Sequence, residues 1–143
     1  MAVVIDANLL VVMVSGDARG LRASEQVDAW ITADEEMHAP ELLPYELASA
    51  FTRLVAGRAV SARQVGSAWE ELSLLPIVQH PLSDDLPRMV EVALRLKRQS
   101  AYDAAYIVLA EALGAVLWTL DGPLARNAQA VGFPVRLLDE ASP

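Results

Sequence analysis

Short apolar runs of strand length alternate along the chain with segments in which apolar residues return every three or four positions. The first run, Ala2, Val3, Val4 and Ile5, ends abruptly at Asp6, Ala7 and Asn8, from which a helix can cover Leu9 to Met13. Gly16 to Gly20 breaks that helix, and Ser24 is placed to cap a second, whose Val27, Trp30 and Ile31 share one face. Residues 37–39 predict a short strand ended by Pro40. A helix from about Leu42 to Val55 follows, with Pro44 in its first turn and Gly57 closing it. Ser61 and Gln64 form a capping-box pattern ahead of a buried face of Val65, Ala68, Trp69 and Leu72. Pro76 to Gln79 reads as a strand. Ser83, Asp84 and Asp85 open a helix whose Met89, Val90, Ala93 and Leu94 are expected to face inward. Asp103 begins a helix to about Leu113, stopped by Gly114, and Ala115 to Thr119 is the clearest strand pattern. A last helix runs from Asp121 to Val131, Gly132 ends it, and Val135 to Leu138 is expected to be an edge strand. Strands alternating with helices predict an α/β fold with a mostly parallel sheet covered on both faces.

At 143 residues, 54% of them hydrophobic, the chain suits one domain, 1–143, around one core. It has no cysteine, which removes disulfides and thiolate metal sites and leaves oxygen donors and two histidines for any metal. A hard divalent cation in a cytoplasmic protein is the expectation. No basic stretch precedes the first apolar run, as a secretory signal would require. The longest apolar stretch, Ala104 to Leu120, carries Glu111 and Gly114 and reads as helix then strand, not as a membrane span. The net charge of −8 argues against broad, non-specific adhesion to nucleic acid. It leaves room for a nucleic-acid enzyme, because ten of the eleven basic residues are arginine, which grips phosphate through two parallel hydrogen bonds. A basic protein partner suits the same balance.

Four acids are the candidate chemistry: Asp6, Glu46, Asp103 and Asp121. Asp6 and Asp121 leave the carboxyl ends of predicted strands, the edge of an open α/β sheet where ligands bind, and two helix acids can converge there. Acids packed around one cleft repel each other unless a cation joins them, so a shared Mg²⁺ or Mn²⁺ is the economical explanation. The ordinary alternative for Asp6, Asp103 and Asp121 is helix capping. Glu46 is different, because it lies inside an apolar helix among Leu42, Leu43, Leu47, Ala50 and Phe51. Arg53, seven residues on, shares its side of that helix and is a candidate for phosphate binding or for an intrahelical ion pair. Asn8 and Thr119 sit two residues from Asp6 and Asp121 and are candidates to orient those carboxylates.

The remaining conspicuous side chains read as structural. His38 and His80 are isolated in sequence, with no second histidine at metal-ligand spacing, and neither is expected to be a ligand. Trp30, Trp69 and Trp118 fall on apolar faces. Tyr45, Tyr102 and Tyr106 flank the acids, where packing is the simpler role. There is no Gly-x-Gly-x-x-Gly, Walker loop, Gly-x-Ser-x-Gly or Cys/His pair. A metal-dependent hydrolase of phosphodiesters is what remains. The rivals are another acid-metal phosphohydrolase and a non-catalytic module holding a structural cation or a basic peptide. A haloacid-dehalogenase-type phosphatase wants a second aspartate two residues after its nucleophile, and that position is Asn8.

Taken together, the strand ending at Asp6, Ala7 and Asn8, Pro40 six residues before Glu46, the run Tyr102 to Glu111 with Leu113, Gly114 and Ala115, and Thr119 to Ala125 resemble a PIN domain. More narrowly the chain is similar to the VapC toxins of type II toxin–antitoxin pairs. The resemblance implies a three-layer α/β/α domain and a Mg²⁺- or Mn²⁺-dependent endoribonuclease whose metal is held by Asp6, Glu46, Asp103 and Asp121. It also implies a homodimer and a cognate antitoxin that blocks the site. Metal-activated water would leave a 5′-phosphate and a 3′-hydroxyl. No acid of the pattern is missing.

Overall fold

The computed structural model describes residues 1–98 and 100–138. Five strands, β1 (Ala2–Ile5), β2 (Glu36–Pro40), β3 (Ile77–His80), β4 (Val116–Thr119) and β5 (Val135–Leu137), form one sheet in the order β3-β2-β1-β4-β5. Every pairing in it is parallel. β1 is central and its Val3, Val4 and Ile5 are all buried, as a strand covered on both faces requires.

The helices are α1 (Ala7–Val14), α2 (Gly20–Thr32), α3 (Leu43–Ala56), α4 (Ala62–Ser73), α5 (Leu86–Arg95), α6 (Tyr102–Leu113) and α7 (Gly122–Ala130). The strand order together with the right hand of parallel crossovers puts α1 to α4 on one face and α5 to α7 on the other. This is the expected three-layer α/β/α arrangement. Helix α6 packs on β1, β2 and β4 and against α5, so it is buried continuously from Ala104 to Ala110. Among the described residues no helix is long and apolar enough to cross a membrane.

Several expectations need correction. Ser24 does not cap α2, which starts four residues earlier at Gly20. Asp17 folds the chain there by accepting hydrogen bonds from the Arg19 backbone (2.8 Å) and guanidinium (3.0 Å). Gly20 then sits so close to α1 that a Cβ would lie 2.6 Å from the Val12 carbonyl oxygen. Ile31 is exposed although Val27 and Trp30 are buried. On α5 the inward residues are Val92 and Ala93, followed by Leu96, whereas Val90 and Leu94 point to solvent. Trp69 is likewise half exposed beside buried Ala68 and Leu72. Pro40 belongs to β2, and the last helix stops at Ala130. The Ser61/Gln64 capping box is present as expected. Gly114 closes α6 in the left-handed conformation, at φ 61°.

The two histidines are not isolated in space. His38 on β2 and His80 on β3 meet through Nδ1 and Nε2 at 2.7 Å, and His38 Nε2 faces Glu36 Oε2 at 3.2 Å. Parallel pairing of β2 with β3 places them together, a proximity no local spacing reports. With the ring nitrogens directly bonded, this pair fastens an edge strand. His80→Ala should lower stability by about 1–2 kcal/mol, because it leaves a nitrogen of buried His38 without its partner. Urea denaturation checks this, and an unchanged midpoint would mean that water replaces the bond without loss.

Candidate functional site

Asp6 follows β1, and its backbone N–H donates to the Trp118 carbonyl (3.2 Å), extending the β1–β4 ladder by one residue. The position is thus set by the sheet itself. Its side chain is buried and accepts a 2.6 Å hydrogen bond from the hydroxyl of fully buried Thr119. The same hydroxyl accepts from the Asp121 backbone N–H at 3.0 Å. Thr119 therefore orients the carboxylate of Asp6, on the neighbouring strand, and holds Asp121 only by its backbone. This corrects the expected assignment of Thr119 to Asp121.

Asp121 does cap α7, its Oδ1 accepting from the Leu124 N–H at 3.0 Å, so the ordinary capping role is realised there. Asp103 stands in the first turn of α6, behind the N-cap Ala101, and Asp6 makes no side-chain cap bond. Glu46 comes from the first turn of α3 and Asp103 from the opposite layer, so the two helices deliver their acids from both faces of the sheet. The Asn8 backbone, not its side chain, lies near Asp6 and eases its charge.

The electrostatics tie these groups into one site. Burial, opposed by the Thr119 hydrogen bond and reinforced by Asp103 and Glu46, pushes the Asp6 carboxyl up to about 6. Burial and then Asp103 raise Glu46, while Arg53 acts in the other direction. Burial raises Asp103 too, with Arg98 opposing and Asp121 adding to the rise. Tyr106, read from sequence as packing, is buried on α6 with its hydroxyl toward Glu46. It lowers the Glu46 pKa, yet the pair falls short of full hydrogen-bond geometry, and both Glu46 Oε1 and Tyr106 Oη are buried without a partner. Burial foremost, then the Glu46 carboxylate, keep the phenol protonated. Tyr45 and Tyr102 are exposed.

Among the described residues no three carboxylates or imidazoles are disposed to hold a common ion as they stand. The acids are close enough to raise one another's pKa and not close enough to share one coordination shell. A recess of about 390 Å³ beside them is lined by Asn8, Asp121 and Arg53 among others, so Arg53, a candidate for phosphate binding or for an ion pair, stands near the acids. Two cations escaped the sequence reading. Arg98 Nε lies 4.0 Å from Asp103 Oδ2, and Arg126 folds back so that a Cβ on Gly122 would meet its Nη1 at 3.0 Å. Their signal was faint: an arginine five residues before Asp103 and another five after Asp121.

The sequence pattern of the PIN domain matches residues 3–130. VapC ribonuclease Mb0985 of Mycobacterium bovis is 32% identical over 130 residues, spanning 90% of this chain and 92% of that protein. Ribonuclease VapC3 of Mycobacterium tuberculosis is 34% identical over 135 residues, with 91% and 92% of the two chains covered. Ribonuclease VapC3 of Pyrobaculum aerophilum is 28% identical over 138 residues, covering 94% of this chain and all of that one. The crystal structure of PAE2754 from Pyrobaculum aerophilum superposes with a TM-score of 0.60 at 24% identity, over 89% of this chain and 79% of that one, a likeness of fold.

The raised acids give a signed expectation for stability. Asp6 in the folded state holds its proton up to about pH 6, against an ordinary 3.8, so the folded protein binds more protons than the unfolded one between those values. Stability should therefore fall as pH rises from about 4 to about 6, by on the order of 1–3 kcal/mol without divalent ions. Asp6→Asn, which keeps an oxygen for Thr119, should flatten the slope and melt higher than the parent at neutral pH. Melting curves in EDTA across this range decide it; a parent that gains stability from pH 4 to 6 would contradict the buried, repelling site.

Proposed function

The chain belongs to the PIN-domain family, and from that premise we propose that it is a VapC-type toxin: a divalent-metal-dependent endoribonuclease that hydrolyses RNA phosphodiester bonds in the cytoplasm. The observation that carries this reading is the convergence of Asp6, Glu46, Asp103 and Asp121 at the carboxyl edge of the sheet, with three of their pKa values raised. Carboxylates that resist ionisation together gain from a cation among them. An all-oxygen donor set suits Mg²⁺ or Mn²⁺, and the unpartnered Glu46 Oε1 is an acceptor with nothing to accept from. A common ion requires the acids to approach more closely than they do here, as cation binding itself would favour.

In this reading Asp6, Glu46, Asp103 and Asp121 would hold the metal, which when bound polarises the phosphodiester and makes water acidic enough to attack near neutral pH. The chain's own groups do the rest. Thr119 fixes the Asp6 carboxylate in one orientation, and the Tyr106 phenol, kept protonated, faces Glu46 on its buried side without completing a hydrogen bond. Arg53, in the recess shared with Asn8 and Asp121, would take a phosphate oxygen of the substrate.

The proposal extends to partners. An apolar recess of about 690 Å³ between α3 and α4, walled by Leu47, Phe51, Val55, Val65 and Trp69, opens on the helix that carries Glu46. A basic, amphipathic antitoxin segment would lay its apolar face there and direct a cation toward the acids, consistent with the −8 charge of the chain. Leu86, Val90 and Leu94 recur every four residues on α5 and are exposed, a stripe suited to the homodimer contact.

Purified protein should cut single-stranded RNA with Mg²⁺ or Mn²⁺ and lose that activity in EDTA. Products should carry a 5′-phosphate and a 3′-hydroxyl. Asp6→Asn or Asp103→Asn should lower the rate by roughly two orders of magnitude or more with the fold intact by circular dichroism. Full activity in excess chelator would sink the metal reading. For the dimer, Val90→Asp should shift the protein to monomer in sedimentation velocity, and an unaltered dimer would place the contact elsewhere.

A further inference from the structure

Arg95, Lys97 and Arg98 place three of the chain's eleven basic residues within four positions, at the end of α5. They wall one side of a recess of about 470 Å³. Pro123, Asn127, Ala130 and Val131 on and after α7 wall the other, and none of the described residues lining it is a carboxylate. In a protein of net charge −8 this is a local reversal of sign. The recess adjoins the acids at two points. Arg98 lies 4.0 Å from Asp103, and Pro123 is two residues beyond Asp121.

Helix-end chemistry accounts for part of the cluster. Arg95 sits in the last turn of α5, where a cation is favoured. Its guanidinium donates to the Val131 carbonyl at 3.2 Å and lies 4.9 Å from the Phe133 ring centroid, so it is a fixed wall. Arg98 answers Asp103. Lys97 takes φ 57° as the left-handed residue that closes α5, its N–H donating to the Leu94 carbonyl and that of Arg98 to the Ala93 carbonyl, each at 3.0 Å, whereas no described residue pairs with its ammonium. An ammonium with no partner among the described residues, beside a recess whose described lining holds no carboxylate, fits an anion from outside the chain.

We propose that this recess seats a phosphate of the RNA strand on one side of the cleaved bond, with Lys97 and Arg98 as its ligands and Arg95 as its rigid wall. The inference rests on the ribonuclease reading and names how its substrate is held. A single strand is the class that fits, since a duplex presents two phosphate rows and needs a wide basic face that this acidic chain lacks. Arg98, between recess and Asp103, links the strand's path to the acids. Three cations at one spot let a polyanion approach a site whose other groups repel it.

Lys97→Asn and Lys97→Asp test this with little risk to folding, because both side chains tolerate the left-handed backbone. Asn127→Asp adds a negative charge from the opposite wall. Each enzyme is assayed on a long single-stranded RNA and on bis(p-nitrophenyl) phosphate, a phosphodiester too short to reach the recess. For the RNA, the aspartate variants should raise KM about fivefold or more with kcat little changed, and Lys97→Asn should lower the salt dependence of RNA binding by about 0.7 in log–log slope, one phosphate contact. The short diester should be cut alike by all. If the parent cleaves RNA while the variants keep its KM and salt slope, the recess is off the strand's path and the proposal is overturned with the nuclease reading standing. If the parent cuts neither substrate, that reading fails and this one with it.

Discussion

The hydrogen bond from Thr119 to Asp6 joins two strands that are 113 residues apart in sequence, and the site depends on it. Parallel strands cannot be linked by tight turns, so β1 and β4 come together only after two further strands and six helices have been placed. Once they pair, the backbone ladder runs one residue past β1 to Asp6, and the Thr119 hydroxyl fixes that carboxylate while receiving the Asp121 N–H. One hydroxyl thus locates the two acids that leave strand ends. The two helix acids arrive by a different route: α3 starts just beyond β2 and α6 follows α5 in the opposite layer, and their first turns carry Glu46 and Asp103.

What could be read from the sequence follows from the range of each interaction. Strand runs, the Ser61/Gln64 capping box, Gly114 at the end of α6 and the stop at Gly57 are local; the strands stand within a residue of where the pattern placed them, and the caps stand as expected. The four acids were legible because strand-end position and an acid inside an apolar helix are also local signals. Features set by tertiary pairing were not. His38 and His80 are 42 residues apart and touch only because β2 lies beside β3. Thr119 looked like a partner of Asp121, two residues away, until the sheet put Asp6 within 2.6 Å of it. The face of α5 was misread because its apolar residues satisfy helical spacing on two sides. Contact with α6 selects Val92 and Ala93 and leaves Val90 and Leu94 outside.

Charge is distributed with more structure than a total of −8 conveys. Arginines stand against the acids: Arg53 toward Glu46, Arg98 beside Asp103, and Arg126 folded over the start of the helix that Asp121 caps. Arg98 stands 4.0 Å from Asp103, too far for a close hydrogen-bonded pair. Partial compensation of this kind keeps the folded state tolerable while leaving the site short of positive charge. Asp17 is the contrast. Bonded to Arg19 in an exposed turn, its carboxyl is held down to about 2, which is what a satisfied acid looks like in this chain.

That shortage of positive charge would link folding, the proposed metal and the proposed inhibitor in one quantity. Burial is the largest cause of the rise at Asp6, Glu46 and Asp103, and it also sharpens their mutual repulsion by removing solvent screening. Any cation that enters relieves both costs, whatever molecule brings it. A divalent ion and a guanidinium on a partner's segment would therefore stabilise the fold by the same mechanism and exclude one another for the same reason. The difference lies in what each leaves free: an ion keeps coordination positions open for a phosphate, whereas a side chain anchored in the α3/α4 recess fills the cleft with no such position. On the proposed reading, an acidic site made slightly unstable by its own charges would be open to activation by a small cation and to inhibition by a large one.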